Sequence, residues 1–246
     1  MQKILFFTDG WFFNFGFAQY LQNNDDYKLY AIFDFDDKAT KFFKNQKIVK
    51  YEKTWHFLDS ITKPLGCPDI QYLINFEQKY SINLWKLIYG DREFFTQYND
   101  YYKFTHDEIL SIVEQECKFF EKIIEEVKPD FLSIFTTIAH YHELLVLISK
   151  SHGIKILQLG PGKLAGTMMI SEESSTFDSI IKKSTHIERN MVELQDIFNK
   201  FNSTKEVYQV RKLSFEMNTW QRYKPLIKFF FTRRELSFFK RYNYFG

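Results

Sequence analysis

Residues 129–166 read PDFLSIFTTIAHYHELLVLISKSHGIKILQLGPGKLAG, and this stretch decides the fold class. Residues 131–135 are a short, mostly apolar run, which is typical of a strand covered on both faces. Residues 138–150 follow as a helix that is apolar on nearly all sides and that Gly153 ends. Residues 155–159 return to a strand pattern. Two strands joined through a helix pair in parallel with a right-handed crossover, so the stretch predicts an α/β protein.

Other segments extend the same sheet. Further strands are predicted at residues 3–7, 28–33, 47–53 and 167–170. Thr105 and Glu108 form a capping-box pattern ahead of a long amphipathic helix over residues 107–127. We therefore expect a Rossmann-like parallel sheet of about five to six strands flanked by helices, with a helical C-terminal extension and the strand order 3-2-1-4-5.

That strand order predicts a crevice. The first and fourth strands become neighbours, so the loops at residues 9–14 and 136–143 face each other at the carboxyl edge, where open α/β sheets bind ligands. His140 is the candidate catalytic base, because the positive end of a helix dipole favours the neutral imidazole that can accept a hydroxyl proton. Asp9 or Glu143 would orient it. The alternative is that Glu143 complements the helix dipole and that the histidines cap and pack.

Ligand-binding candidates lie in and around the same loops. A turn after the first strand can bring backbone N–H groups to a phosphate, and an arginine can hold a phosphate or carboxylate through its planar fork. The alternatives are a plain loop at residues 160–163, which lacks the spacing of a phosphate-binding loop, and a helix-start pair at residues 91–92. An H-x-H pair on a helix does not converge on one ion, so no metal site is expected. The candidates are Gly10, Trp11, Arg92, Thr137, His142, Gly160, Gly162 and Lys163.

Composition excludes several classes of protein. The chain has 246 residues, 45% of them apolar and 20% aromatic, which is enough to fill a sizeable core. A net charge of +2 argues against a dedicated nucleic-acid binder. Cys67 and Cys117 show no ligand spacing and indicate reduced cysteines in a cytoplasmic protein. No stretch approaches the roughly 20 apolar residues of a membrane span.

The sequence predicts two regions. Residues 1–184 form the α/β domain, with a helical or irregular insertion at residues 54–105, and residues 185–246 form a helical extension. Residues 205–246 contain ten basic and three acidic residues, a net charge of +7. A basic, aromatic helical segment can lie on an anionic membrane surface at the inner face of the membrane. It can equally connect to another domain.

These features together resemble a known family. The resemblance rests on four segments: the Asp91-Arg92 insertion, the strand-helix-strand around His140, the residues leading to Ile170-Ser171-Glu172, and the final residues 241–246, RYNYFG. The order of these segments is similar to the N-terminal half of capsule and surface-polysaccharide biosynthesis proteins of GT-B type.

The resemblance implies a glycosyltransferase. In such enzymes two Rossmann-like domains face each other, the first holding the glycan acceptor and the second the nucleotide-sugar donor. The chain would then be the acceptor-side domain, with a second domain following it, a nucleotide sugar as substrate and no separate cofactor. The alternatives are a non-catalytic module that binds carbohydrate or a partner, and a small nucleotide-binding enzyme that uses Gly10 and residues 160–163.

Overall fold

The computed structural model describes residues 1–10, 12–35, 37–61, 67–91, 94–95, 104–135, 137, 139–161, 168–172, 190–192, 195–196 and 199. Within these ranges, the strands are β1 (Gln2–Thr8), β2 (Tyr27–Phe33), β3 (Lys53–His56), β4 (Phe131–Ile134), β5 (Lys155–Pro161) and β6 (Met168–Ser171). The helices are α1 (Phe13–Leu21), α2 (Asp37–Asn45), α3 (Phe57–Ser60), α4 (Ile70–Tyr80), α5 (Leu84–Tyr89), α6 (His106–Val127) and α7 (His140–Ser151).

The six strands form one sheet in the order β3-β2-β1-β4-β5-β6. Strands β2 and β4 flank β1, β3 pairs with β2 and β5 pairs with β4, all four pairs in parallel. The predicted Rossmann-like α/β class and the strand order 3-2-1-4-5 are therefore confirmed. The direction in which strands are added reverses between β1 and β4, so this pair is the topological switch point of the sheet.

Both faces of the sheet are covered by helices. On one face, Ile4 and Phe6 of β1 pack in a cluster that includes Ala18 of α1 and Phe43 of α2. On the other face, Leu5 and Phe7 belong to a larger cluster built with helices α3–α7. Because successive residues of β1 point to opposite, equally buried faces, the strand has an uninterrupted apolar sequence instead of polar alternation.

Helix α6 begins at a capping box, as predicted. The Glu108 backbone N–H donates to Thr105 Oγ1 at 3.3 Å, and the Thr105 backbone N–H donates to the Glu108 carboxylate at 2.8 Å. Two backbone donors that would lack partners at the start of a helix are thereby satisfied.

Thr105→Ala tests the contribution of this cap. We expect the free energy of unfolding to fall by about 1 kcal/mol, because one helix donor loses its hydroxyl acceptor. Urea unfolding monitored by circular dichroism measures the change. Ser111→Ala serves as the control, because Ser111 is a half-buried serine in the same helix. This variant should change stability by less than about 0.5 kcal/mol. Equal losses in both variants would show that the cap contributes nothing specific.

The third strand differs from the prediction. A strand over residues 47–53 is wrong, because β3 spans Lys53–His56. Gln46 explains the difference: its Oε1 accepts hydrogen bonds from the backbone N–H groups of Ile48 at 2.8 Å and Val49 at 2.9 Å. These donors are satisfied by a side chain, so the segment forms a turn instead of joining the sheet.

Two helices begin at positions other than those predicted. Helix α1 starts at Phe13, inside the predicted loop at residues 9–14, and Phe12 before it adopts a left-handed conformation with φ 60°. Helix α7 starts at His140, two residues after the predicted start. It ends as predicted before Gly153, whose φ of 71° favours glycine.

The insertion at residues 54–105 is helical in pieces where the structure describes it, since it holds α3, α4 and α5 after the end of β3. None of the described helices is both long enough and apolar enough to cross a membrane. The chain divides into two compact units. One includes Met1–Gly160 and Ile170–Thr176; the other includes Pro161–Met169 and Phe177–Phe238. The predicted boundary at 184–185 and the basic segment at 205–246 lie outside the described residues.

Candidate functional site

The switch point is held together by a buried asparagine. Asn14, in the first turn of α1, donates from Nδ2 to the Phe7 carbonyl of β1 at 2.7 Å. Its Oδ1 accepts from the Ser133 hydroxyl of β4, also at 2.7 Å. One side chain therefore links the start of α1 to both central strands, which positions the loop after β1 relative to the sheet.

Aromatic rings line the carboxyl edge at this point. Phe13 stacks on Phe135, with ring centroids 5.1 Å apart, so the start of α1 contacts the residue that directly follows β4. Phe12 stacks on Phe35 at the end of β2, at 5.7 Å. Phe12 and Phe13 are 49% and 41% exposed. Exposed phenyl rings that are already fixed by stacking offer a rigid apolar platform to a ligand.

Several predicted site residues lie beside this platform. Asp9 follows β1 directly and is half-buried, and Gly10 is exposed, with open space where a Cβ atom would stand. Thr137, after β4, is also half-buried. The structure therefore places Asp9, Gly10 and Thr137 at the same edge as the aromatic rings. Gly160 is half-buried near the carboxyl end of β5, one strand further from β1.

Four predicted ligand-binding residues cannot be located. Trp11, Arg92, Gly162 and Lys163 lie outside the described residues.

His140 is sealed in a buried cluster of charges. Its Nδ1 lies 2.6 Å from Asp91 Oδ2, and its Nε2 lies 2.7 Å from Glu116 Oε2. The same Asp91 oxygen accepts from the His140 backbone N–H at 2.6 Å. The side chains of His140, Asp91 and Glu116 are only 2%, 1% and 0% exposed. We call these three residues the buried triad.

The geometry of the buried triad determines the charge of the imidazole. Burial alone would lower the pKa of His140, but the charge of Glu116 and the hydrogen bonds that the ring donates to Asp91 and Glu116 raise the pKa to about 10. Both ring nitrogens face carboxylates, so both carry protons and donate. The predicted neutral imidazole is therefore wrong, because carboxylates from two other segments outweigh the helix dipole. A protonated, enclosed ring cannot accept a proton from a substrate hydroxyl.

The predicted partners of His140 also need correction. Its ring is oriented by Asp91 and Glu116, not by Asp9 or Glu143. Glu143 is half-buried in the first turn of α7, where a carboxylate complements the positive end of the helix dipole. His142 is buried, and its Nδ1 accepts from the Ala139 backbone N–H at 3.2 Å, which makes it a cap of the same helix. The predicted alternative of capping and packing histidines thus describes His142, whereas the His140 ring belongs to a buried ion cluster that the prediction did not include.

A second buried contact at this edge involves Asp34, which follows β2. The Tyr141 hydroxyl donates to Asp34 Oδ2 at 2.9 Å, and both residues are buried. Tyr141 is also within ring contact of Phe7 in β1, with centroids 6.1 Å apart. The start of α7 is therefore fixed on one side by the buried triad and on the other by Asp34.

A cavity of ≈ 660 Å³ opens at the opposite, amino edge of the sheet. Lys128, Lys155, Asp130 and Glu125 are among its lining residues, so cationic and anionic groups are balanced there. The ends of α6 and α7 direct their carbonyl groups toward this edge. Because the charges that line this cavity are mixed, it favours neither an anionic nor a cationic ligand. The carboxyl edge therefore remains the candidate site.

Within the described residues, no group of three histidine, cysteine or acidic side chains is arranged to hold a metal ion. No protein-family model, curated protein or solved structure matches the chain.

Proposed function

We propose that this α/β domain binds a carbohydrate acceptor at the β1–β4 switch point and is the acceptor-side domain of a GT-B-like glycosyltransferase of surface-polysaccharide biosynthesis. The observation that carries the proposal is the aromatic platform of Phe12 and Phe13 beside the carboxylate of Asp9. The strand order and the switch point are those expected of such a domain.

The chemistry of the platform suits a sugar. The C–H face of a pyranose ring packs on an aromatic ring, and its hydroxyls require hydrogen-bond acceptors and donors close by. Asp9 supplies a carboxylate, Thr137 a hydroxyl and Gly10 an open stretch of backbone at the same edge. A site of this kind binds the sugar by stacking and selects its orientation through a few polar groups.

The catalytic role shifts from His140 to Asp9 in this proposal. Transfer to a hydroxyl needs a general base within hydrogen-bond reach of the acceptor, and His140 is enclosed and protonated. Asp9 is the candidate base, while Thr137 helps to orient the acceptor. The nucleotide sugar would be held by a second domain, and the enzyme would act in the cytoplasm, at or near the inner face of the membrane.

A second candidate is carbohydrate binding without catalysis. The sealing of His140 favours it, because it removes the predicted base from the crevice. Assays on the full reading frame that contains these residues distinguish the two. Asp9→Asn should abolish sugar transfer while carbohydrate binding persists if the domain is catalytic. Absence of transfer from any nucleotide sugar by the unmodified protein would favour the binding module.

Phe13→Ala tests the platform itself. We expect it to weaken carbohydrate binding by about 3- to 10-fold, since an aromatic stacking contact contributes about 0.5–1.5 kcal/mol. Saturation-transfer-difference NMR and calorimetry with a panel of soluble oligosaccharides and nucleotide sugars measure the change.

Tyr20→Ala is the matched control, because Tyr20 is an aromatic residue of the same helix and is 78% exposed. It should leave binding unchanged. Binding that is insensitive to Phe13→Ala, or no binding of any oligosaccharide by the unmodified chain, would contradict the proposed site.

A further inference from the structure

A row of lysines begins in α2 and continues past its end. Lysines occur at every third position from 38 to 50, and this stretch from Asp37 to Lys50 contains five lysines and one acidic residue. Lys41 and Lys44 lie in α2, and Lys47 and Lys50 follow it; all four are exposed. The proposed carbohydrate site uses none of these lysines.

Apolar side chains are exposed between these lysines. Phe42 is 50% exposed in α2, and Ile48 is 46% exposed after it. Their neighbours Phe43 and Val49 are buried at 4% and 3% and belong to the core on this face of the sheet. Since the adjacent residues fill the core, Phe42 and Ile48 are turned outward, beside the lysines.

The backbone that presents Ile48 is held in place. The Gln46 side chain accepts from the Ile48 and Val49 backbone N–H groups and donates to the Val49 carbonyl at 2.9 Å. The Gln22 side chain at the end of α1 donates to the Ile48 carbonyl at 3.0 Å and accepts from the Lys50 backbone N–H at 3.2 Å. The exposed isoleucine is therefore a feature of an ordered turn, anchored by hydrogen bonds to two glutamines.

One acidic group that contacts this surface is Asp59. Asp59 pairs with Lys44 at 2.6 Å, and both side chains are about half exposed, at 57% and 46%. The pair leaves the exposed Lys41, Lys47 and Lys50 as excess positive charge beside the apolar side chains.

We propose that Lys41, Phe42, Lys47, Ile48 and Lys50 form a docking surface for a bilayer that contains anionic phospholipid. Lysine ammonium groups attract the negative headgroups, and the phenyl and sec-butyl side chains enter the boundary between headgroups and acyl chains. Phe42 offers a single ring on which a base could stack, whereas Ile48, an aliphatic side chain held outward among lysines, offers none and suits insertion into a lipid interface, so the surface fits a bilayer better than a nucleic acid. The proposal is independent of the carbohydrate site and of residues 205–246.

The test is vesicle flotation of the full 246-residue chain. Vesicles of phosphatidylcholine with 30% phosphatidylserine are compared with pure phosphatidylcholine, at low and high salt. We expect the chain to float with the anionic vesicles and to be released by salt. Lys47→Glu/Lys50→Glu should lower the partition coefficient at least tenfold, and Ile48→Ser should lower it several-fold.

The control is Lys122→Glu/Lys155→Glu, which makes the same charge change at two exposed lysines of α6 and β5. It should retain nearly all binding. All four positions are exposed, so circular dichroism and melting curves should be unchanged in every variant.

Four results would overturn the proposal. One is absence of binding to either kind of vesicle. The second is an equal loss of binding in the test and control variants, which would show a response to net charge only. The third is no loss in the test variant, which would assign binding to another segment. The fourth is retention of a single-stranded RNA by the chain under conditions where no vesicle binds, which would identify the surface as a nucleic-acid site.

Discussion

His140→Ala is expected to lower the free energy of unfolding by about 3–5 kcal/mol. The imidazolium lies between two carboxylates that are almost completely buried, at 2.6 and 2.7 Å. Removing it leaves Asp91 and Glu116 as negative charges close together without the cation that both contact, and it also leaves a cavity. Guanidinium unfolding of the purified chain, followed by circular dichroism, measures this loss.

His106→Ala is the control, because His106 is exposed in the first turn of α6. It should change stability by less than about 1 kcal/mol. If His140 were instead a catalytic base facing the crevice, its replacement would remove sugar transfer and change the stability of the chain little. If His140→Ala proved as stable as the unmodified chain and yet lost sugar transfer, the histidine would be catalytic and the buried triad would not describe its role.

Much of the fold could be predicted from local sequence. The apolar runs of β1 and β4 are long enough and free enough of polar alternation to indicate buried parallel strands. The usual strand order of a doubly wound sheet then makes β1 and β4 neighbours at the switch point. The position of β3 could not be predicted, because residues 47–53 also contain the β-branched and aromatic residues Ile48, Val49 and Tyr51 that are typical of strands. The hydrogen bonds that the Gln46 side chain accepts hold that segment in a turn, and no sequence pattern predicts them.

The edge that carries the site was also predictable, but the surroundings of His140 were not. Asp91 and Glu116 lie 49 and 24 positions before His140. Contacts across such separations depend on how α5, α6 and α7 pack, which periodicity alone does not specify. One signal was present: Glu116 is fully buried in the apolar stripe of α6, between Val113 and Phe120. A charged residue at such a position indicates a buried partner of opposite charge.

The buried triad connects local stability to the proposed site. Asp91, two residues after α5, accepts a hydrogen bond from the backbone N–H of His140, the first residue of α7. Tyr141, which follows His140 in α7, donates from its hydroxyl to Asp34, which lies just after β2. The start of α7 is therefore fixed relative to β2 and α6, and Thr137 lies in the short connection between β4 and α7. His140 can thus act on the crevice as a positioning residue while remaining out of contact with any ligand.

The stability of the chain should depend on pH through the same histidine. The pKa of His140 is raised from 6.5 to about 10 in the folded state by Glu116 and Asp91, against the lowering effect of burial. A raised folded-state pKa means that the folded chain binds the proton more tightly than the unfolded chain. The resulting stabilisation is fully present below about pH 6.5 and is lost as the pH rises through about 10.

The measurement that isolates this effect is a difference between two proteins. Lysines, tyrosines and cysteines also titrate at alkaline pH, so the free energy of unfolding of the unmodified chain alone would mix several groups. The difference between the unmodified chain and His140→Ala cancels most of them. We expect this difference to shrink between pH 7 and pH 10, by at most about 1.4 kcal/mol per pH unit for one proton. Nitrogen-15 NMR of the imidazole at pH 8 provides an independent reading, since both ring nitrogens should still carry protons. A difference that stays constant over this range, or a neutral ring at pH 8, would show that the two carboxylates do not hold the histidine in its charged form.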